Sequence, residues 1–319
     1  MRALKIIAAF SLAISCCSTA LAQYPDHLVR VMVPGASGGP TDVFARMIAD
    51  KFGKLWGQPV IVENRPGNGV IATDVAAKSA PDGYTLLLVN GATAINASLV
   101  AKLPYDTLND LVPIAQINAA AFALMVSANS PDKTVQDLIA RARANPGKLN
   151  YASSGIGSSL HLSAAMFSLM TETQIVHVPY KGAAQPYADM AAGLIDLMFL
   201  GTTNVVPLVK AGRMRALAVT SPRRSSPLPD VPTLQEVGLK GFNVVAWNGI
   251  SAPAKTPRAI ITKINADTIR SVNTPDFLEF LTTTGSDPVP STPEQFGAFF
   301  REEVSKWANV IRSSGIKPE

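Results

Sequence analysis

Residues 28–52, LVRVMVPGASGGPTDVFARMIADKF, contain the pattern that decides the fold class. The apolar run from Leu28 to Val33 predicts a β-strand, and the glycine- and proline-rich segment from Pro34 to Pro40 predicts a turn. Apolar residues then recur at helical spacing from Thr41 to Trp56, which predicts an α-helix. A strand, a turn and a helix in this order predict the first unit of an α/β fold.

The same alternation of strands and helices continues along the chain. Further strands are predicted at 60–62, 84–89, 122–126, 149–152, 175–178, 195–200, 216–219 and 244–247. Further helices are predicted at 71–80, 135–143, 159–170, 183–192, 205–211, 257–272, 275–283 and 293–313. This alternation predicts a parallel sheet with helices on both faces.

The N-terminus has the form of a secretory signal peptide. Basic residues in Met1–Lys5 precede an apolar stretch that reaches Ile14, and Ala20-Leu21-Ala22 provides a small-x-small cleavage site. We therefore predict an exported protein from which residues 1–22, including Cys16 and Cys17, are removed. An uncleaved anchor helix is the alternative, but the apolar stretch is short for a bilayer.

The composition argues against several classes of protein. An apolar content of 47% is too high for a disordered chain. The net charge of +5 comes without a basic run, so we predict no nucleic-acid partner. Two Cys and three His offer little for a metal site. No later run of about 18 apolar residues occurs, so we predict that the mature protein is not embedded in a membrane.

Two loops at predicted strand–helix junctions have the composition of anion sites. The first loop contains Ser37, Gly38, Gly39, Thr41 and Asp42, and the second runs from Ser153 to Ser159. Glycines allow close backbone approach, and the following helix N-terminus adds free N–H groups with a partial positive charge. Neither loop has the Lys of a P-loop, which favours a carboxylate over phosphate. For the first loop, an ordinary tight turn that caps the helix is the alternative.

A dinucleotide site is a weaker interpretation of the segment Gly67 to Ala72, which fits a relaxed glycine pattern after a strand. The next predicted strand does not end in the acidic residue that would contact a ribose. The sequence therefore predicts no nucleotide cofactor.

Candidate catalytic groups are few. Ser158 and His161 could serve a hydrolase, but the chain has no Gly-x-Ser-x-Gly elbow. His161 could equally cap or pack near a helix start, and Lys181 could neutralise an anion or be solvated. No two His have metal-ligand spacing. We predict no enzyme activity, no metal and no cofactor.

A set of motifs runs in order along the whole mature chain: VPGASGGPTDVFAR (33–46), GQPVIVENRPG (57–67), APDGYTLL (80–87), LPYD (103–106), NPGKLNYASSG (145–155), HL (161–162), VPYKG (178–182) and WNG (247–249), the last followed by APA (252–254) and TP (256–257). Taken together, these motifs resemble the Bug family, the periplasmic substrate-binding proteins of tripartite tricarboxylate transporters. Each motif alone is unspecific, and together they are specific.

The resemblance implies a type II-like periplasmic binding protein, with two α/β lobes joined by two crossing segments. Each lobe would contain a mixed, mostly parallel sheet. Residues 23–122 and 243–319 would form lobe 1, and residues 123–242 would form lobe 2. The crossings would lie near Ala123 and Asn243.

The resemblance also implies a function and a site. A monomeric periplasmic receptor would capture a small organic acid between the lobes, through backbone amides and water, and deliver it to membrane transporter subunits. Signalling to a membrane kinase is the alternative role. The implied site residues are Ser37, Gly38, Gly39, Thr41, Asp42, Thr93, Ser153, Ser154, Gly157, Ser158, His161, Tyr180, Lys181, Gly182 and Thr202. Dicarboxylates, amino acids, aromatic acids and neutral compounds all stay open as ligands.

Overall fold

A computed structural model of the chain describes residues 24–67, 69–181 and 184–317. The predicted signal peptide and Gly182 lie outside the described residues. No helix in the described part of the chain is both long enough and apolar enough to cross a bilayer.

The described residues form ten strands and ten helices. The strands are β1 (Val29–Val33), β2 (Val60–Asn64), β3 (Thr85–Asn90), β4 (Leu111–Ser127), β5 (Asn150–Ser153), β6 (Val176–Pro179), β7 (Leu197–Gly201), β8 (Met214–Val219), β9 (Val245–Pro253) and β10 (Asp287–Pro288). The helices are α1 (Pro40–Trp56), α2 (Val70–Ala77), α3 (Gly91–Leu99), α4 (Val135–Ala144), α5 (Ser159–Thr171), α6 (Ala184–Ala191), α7 (Thr202–Lys210), α8 (Arg258–Val272), α9 (Pro275–Thr283) and α10 (Pro293–Ser313).

The first sheet has the strand order β2-β1-β3-β9-β4, with β10 also paired to β4. Its pairs β1–β2 and β1–β3 are parallel, whereas β9 is antiparallel to both β3 and β4. Both faces of this sheet are buried. Val31 packs on one face with Phe44 of α1, and Met32 packs on the other with Ala72 of α2. A strand buried on both faces explains the nearly continuous apolar run of β1.

The second sheet has the order β4-β7-β5-β6, with β8 also paired to β4. Its pairs β5–β6 and β5–β7 are parallel, and β4 is antiparallel to β7 and β8. Four strands in each sheet therefore run in one direction, β1 to β4 in the first and β5 to β8 in the second. The prediction of mixed, mostly parallel sheets is confirmed.

Strand β4 is continuous through both sheets. Its residues from Leu111 to Ala121 pair with β9, and its residues from Phe122 to Ser127 pair with β7 and β8. The chain returns beside this point, where Thr220 N–H donates to Phe122 O and Val244 N–H donates to Thr220 O. We propose that the lobe boundaries lie here, with 23–122 and 243–319 as lobe 1 and 123–242 as lobe 2.

Helix α3 has no counterpart in the sequence-based predictions. Its sequence, GATAINASL, is composed largely of small and polar residues, so its apolar face is weakly marked. A capping box starts the helix, because the Asn90 side chain and Thr93 bond each other's backbone N–H groups. The 17-residue length of β4 also exceeds the predicted 122–126, because buried Gln116 and Asn118 interrupt the apolar pattern.

Candidate functional site

A cleft between the two lobes contains two joined chambers. The first chamber, of about 540 Å³, is lined by residues of both lobes. The second chamber, of about 460 Å³, is lined by lobe 2 and by Phe122 at the boundary. The chambers share Phe122, Ser159, Gly201 and Asn204. The cleft lies beyond the carboxyl ends of β1, β3, β5 and β7, where ligands bind in open α/β sheets.

Four of the described helices begin at the first chamber. Each follows one of these strands, so their N-termini lie at the same edge as the strand ends. The chamber is lined by Thr41 of α1 and Gly91 of α3 from lobe 1, and by Ser159 of α5 and Thr202 of α7 from lobe 2. Each helix start presents N–H groups without intrahelical partners and a partial positive charge. The chamber can therefore hold an anion.

The first chamber has no charged side chain among the described residues that line it. Side-chain amides and hydroxyls supply its polar groups: Asn248 Nδ2 donates to Asn118 Oδ1 at 3.0 Å, and Asn118 Nδ2 donates to Ser286 Oγ at 3.2 Å. This network fixes the orientation of both amides. Aromatic walls complete the chamber, with the rings of Phe44 and Phe280 edge to face at 5.0 Å.

The second chamber has an apolar wall on one side and a lysine side chain on its lining. Leu160 and Met198 belong to its apolar wall. Lys181 is the one charged residue among the described residues that line it, and its side chain is exposed. Ser153 and Ser154 of the predicted second loop also line this chamber.

The first predicted loop is held together largely from within. Asp42 is buried, and its Oδ2 accepts hydrogen bonds from Gly38 N–H and Arg46 Nε, both at 2.8 Å. The bond from Arg46 is the main reason that the pKa of Asp42 lies below its usual range. Thr41 lines the cleft and accepts from Asn90 Nδ2 at 3.2 Å, whereas Ser37, Gly38, Gly39 and Asp42 do not line either chamber.

The second predicted loop is likewise internally bonded. Ser158 caps α5: its Oγ accepts from His161 N–H at 3.2 Å and donates to Gly155 O at 2.8 Å. The His161 ring lies away from that hydroxyl, because its Nδ1 accepts from Gly157 N–H at 3.0 Å. Ser158 and His161 therefore do not form the nucleophile–base pair of a hydrolase. The His161 ring lines a separate cavity and neither chamber of the cleft.

The remaining predicted residues lie in different places. Thr93 is buried, and its hydroxyl accepts from Asn90 N–H at 3.3 Å inside the capping box. Thr202 lines the first chamber and donates to Gly285 O of lobe 1 at 3.3 Å. Tyr180 lines neither chamber. It donates to Asp189 Oδ2 at 2.6 Å, and desolvation together with this carboxylate raises the pKa of Tyr180 to about 12.

Several residues of the cleft escaped the sequence-based site. Gly91 and Ala92 were missed together with helix α3. Asn248 belongs to the motif Trp247-Asn248-Gly249, so a signal for it was present in the sequence. Ser159 ends the second loop and lines both chambers. Among the residues that the structure describes, no group of three or more His, Cys, Asp or Glu could hold a metal ion.

Comparison with known proteins identifies the family. A family profile described as "Tripartite tricarboxylate transporter family receptor" matches residues 44–316. Protein BugT of Bordetella pertussis (strain Tohama I) is 36% identical over 297 residues, which cover 92% of this chain and 91% of BugT.

Solved structures show the same similarity. Rpa4515 of R. palustris with adipate is 34% identical, with a TM-score of 0.76 over 93% of this chain and 100% of that chain. MatC (Rpa3494) from Rhodopseudomonas palustris with bound malate is 32% identical, with a TM-score of 0.72 over 90% of this chain and 100% of that chain.

These similarities confirm the two-lobed fold of a periplasmic binding protein. They also confirm the resemblance to the Bug family, and since the family consists of receptors, the prediction of a non-catalytic protein is confirmed. The chain belongs to the family of tripartite tricarboxylate transporter receptors.

Proposed function

We propose that this protein is a periplasmic receptor that binds a small carboxylate in the cleft and delivers it to the membrane subunits of a tripartite tricarboxylate-type transporter. Relatives bound to adipate and to malate support a carboxylate ligand. The basic and apolar N-terminus supports export. The receptor needs no metal or cofactor for this function.

The observation that carries the proposal is the meeting of four helix N-termini at a chamber whose described lining residues carry no charged side chain. Backbone amides at helix starts are already oriented, and they bind an anion without the cost of desolvating a lysine or arginine. A carboxylate would receive hydrogen bonds from both lobes, since α1 and α3 belong to lobe 1 and α5 and α7 to lobe 2. Such a ligand stabilises the closed cleft through its contacts to both sides.

Ala92 provides a direct test, because it lines the first chamber and is the second residue of α3. Ala92→Asp places a negative charge in the chamber, at a position where an acidic residue favours the helix. The introduced carboxylate and a ligand carboxylate about 6 Å away would repel each other, and at an effective dielectric constant of about 20 this repulsion raises the Kd of the ligand about 100-fold. Ala92→Asn is the matched control, because Asn has nearly the same shape as Asp but no charge. For this variant we expect a Kd within about threefold of the wild type.

The measurement is calorimetry of the mature protein, unfolded and refolded to remove any ligand acquired in the cell, against a panel of carboxylates that includes adipate and malate. We expect 1:1 binding of at least one acid. No heat with any acid at millimolar concentration, or equal affinity of the Asp and Asn variants, would contradict a carboxylate site in this chamber.

A further inference from the structure

Two histidines of lobe 2 are stacked face to face behind the ligand loop. Tyr151 of β5 and His177 of β6 are register partners, so their side chains share one face of the sheet. His161 of α5 covers that face, with its ring 3.9 Å from the His177 ring and the planes 8° apart. Tyr151 stacks on His177 at 4.9 Å. We call His161 and His177 the histidine pair.

Each member of the histidine pair holds one residue of the loop. Gly157 N–H donates to His161 Nδ1 at 3.0 Å, and Ser153 Oγ is 2.6 Å from His177 Nε2. Ser153 ends β5 and lines the second chamber of the cleft. Gly157 lies against Leu99 of α3, so this loop also contacts lobe 1. The imidazoles therefore fix the loop at both of its ends.

This arrangement requires a neutral His161 and is weakened by a charge on His177. Nδ1 of His161 accepts a hydrogen bond, so a proton on that nitrogen would eliminate the bond to Gly157. A second positive charge on a ring 3.9 Å away would add like-charge repulsion. Burial, and secondly the neighbouring His177, lower the pKa of His161 to about 4, and burial also lowers the pKa of His177.

Protons can reach the pair through a cavity that is separate from the cleft. Both rings line a separate cavity of about 650 Å³. The other ionisable groups on its described wall are the Tyr151 phenol from β5 and the Glu172 carboxylate that follows α5. The C-terminal segment contributes Ser314 and Ile316, which carry no charge. The described wall therefore contains no fixed cation that would keep a proton off the rings.

We propose that His161 and His177 are positioning residues of the receptor, and that protonation of the pair in acid releases the loop and weakens ligand binding. The inference rests on the proposed function, since the loop borders the proposed carboxylate site. The direction of the pH effect on the loop follows from the lowered pKa of His161. An ordinary His titrates at about 6.5, so between pH 6.5 and about 4 the released state binds more protons than the held state. The held state thus loses stability as the pH falls through this range.

The test compares the wild type with His161→Asn, whose Oδ1 can accept the Gly157 bond but does not titrate. A His161 imidazole that titrates near 6.5 when released and near 4 when held raises Kd about tenfold from pH 7.5 to pH 5.5. We expect this rise for the wild type with adipate or malate, and its loss in His161→Asn. The ligand's own carboxyl groups and the His177 side chain are present in both measurements, so the difference between the two proteins reports on His161.

A second variant and a ligand-free measurement keep the inference independent of folding and of ligand choice. His161→Phe retains a stacked ring without the acceptor, so we expect it to bind weakly at both pH values. In ligand-free wild type labelled with ¹⁵N-glycine, the Gly157 amide signal should shift with pH, and in His161→Asn it should not. The inference would be overturned, while the proposed function stands, by either of two results. One is a Kd that changes with pH equally in the wild type and in His161→Asn, and the other is a wild-type Gly157 amide signal that does not shift with pH. Absence of binding at pH 7.5 would contradict the proposed function instead.

Discussion

Gly157 occupies a position in the second ligand loop that a larger residue cannot occupy without strain. Its φ of 72° lies in the left-handed region, and a Cβ at this position would collide with the Leu99 side chain of α3. The backbone conformation and the close approach both require glycine here. One residue thus sets the loop geometry and one of the contacts between the lobes.

Gly157→Ala should lower the free energy of unfolding by about 2 kcal/mol, from backbone strain plus the clash with Leu99. Gly147→Ala is the matched control, because Gly147 has a φ of 70° but open space around its missing Cβ. We expect the control to lose about 1 kcal/mol or less, measured by urea unfolding. Equal losses in the two variants would show that contact with Leu99 contributes nothing.

At the residue scale, the sequence predicted which loops border the cleft better than it predicted which of their side chains line it. Thr41 and Ser153 line the cleft as expected of loop residues in an anion site. Asp42 was counted with them, but its carboxylate bonds Gly38 and Arg46 within the loop. Thr41 and Asp42 are neighbouring polar residues of the same glycine-rich loop, so the types of residue alone do not show which of them lines the cleft. Which way a side chain points depends on neighbours that the local sequence does not specify.

At the scale of elements, the C-terminal helix α10 packs against the residues that form one wall of the cleft. It packs against α3 and β4 and against α5 of lobe 2. Its buried Glu303 accepts hydrogen bonds from the indole nitrogens of Trp247 at 3.0 Å and Trp307 at 3.1 Å, and it pairs with Lys306. Since Trp247 also lines the first chamber, α10 fixes one wall of the site.

Glu303→Ala should therefore lower the free energy of unfolding by about 3–5 kcal/mol, because it leaves two buried indole N–H groups without an acceptor and Lys306 without its counter-ion, with only Asn243 O to accept from it. Glu302 is exposed on the same helix, so Glu302→Ala should stay within about 0.5 kcal/mol of the wild type. Thermal or urea unfolding separates the two results. A small effect of Glu303→Ala would mean that water replaces the carboxylate.

Helix α3 shows where prediction of elements fails. Helices such as α1 and α10 have strong apolar periodicity and were predicted from it, whereas the small residues of GATAINASL leave little periodic signal. Tertiary packing supplies the missing stability, because Ile95 and Leu99 of α3 join the same apolar core as Phe296 of α10. The missed helix contributes one of the four N-termini at the cleft.

At the scale of the whole molecule, the two lobes approach each other closely at the site. A Cβ placed on Gly91 of lobe 1 would lie 3.5 Å from Ser159 Oγ of lobe 2. At another point of the first chamber, Thr203 Oγ1 of lobe 2 donates to Thr284 O of lobe 1 at 2.7 Å. The lobes therefore touch beside the cleft in this structure, and we expect a bound ligand to leave after they separate.

Cysteines at Gly91 and Ser159 test this motion, because a Cβ at Gly91 would lie 3.5 Å from Ser159 Oγ, which brings the two positions close enough to attempt a disulfide. Removal of residues 1–22 takes away Cys16 and Cys17, so the mature background would contain no other cysteine. In the oxidised double variant, dissociation of preloaded labelled adipate or malate should slow at least tenfold, and reduction should restore it.

The double variant under reducing conditions is the control, because it carries both cysteines without the cross-link. If the double variant released ligand at an unchanged rate, with its disulfide verified by mass spectrometry, separation of the lobes would not be required for release. The measurement thus examines the lobe boundaries and the closing motion together.

The sequence by itself determined the α/β class, most strands and helices, and the glycine-rich loops that precede α1 and α5. These features depend on apolar periodicity, turn residues and helix caps, which act over a few neighbouring positions. Only the tertiary structure decided that four helix starts meet at one uncharged chamber, that His161 stacks on His177, and that Gly91 faces Ser159. These contacts join residues far apart in the chain, so they depend on how sheets and lobes pack, and no local pattern encodes them.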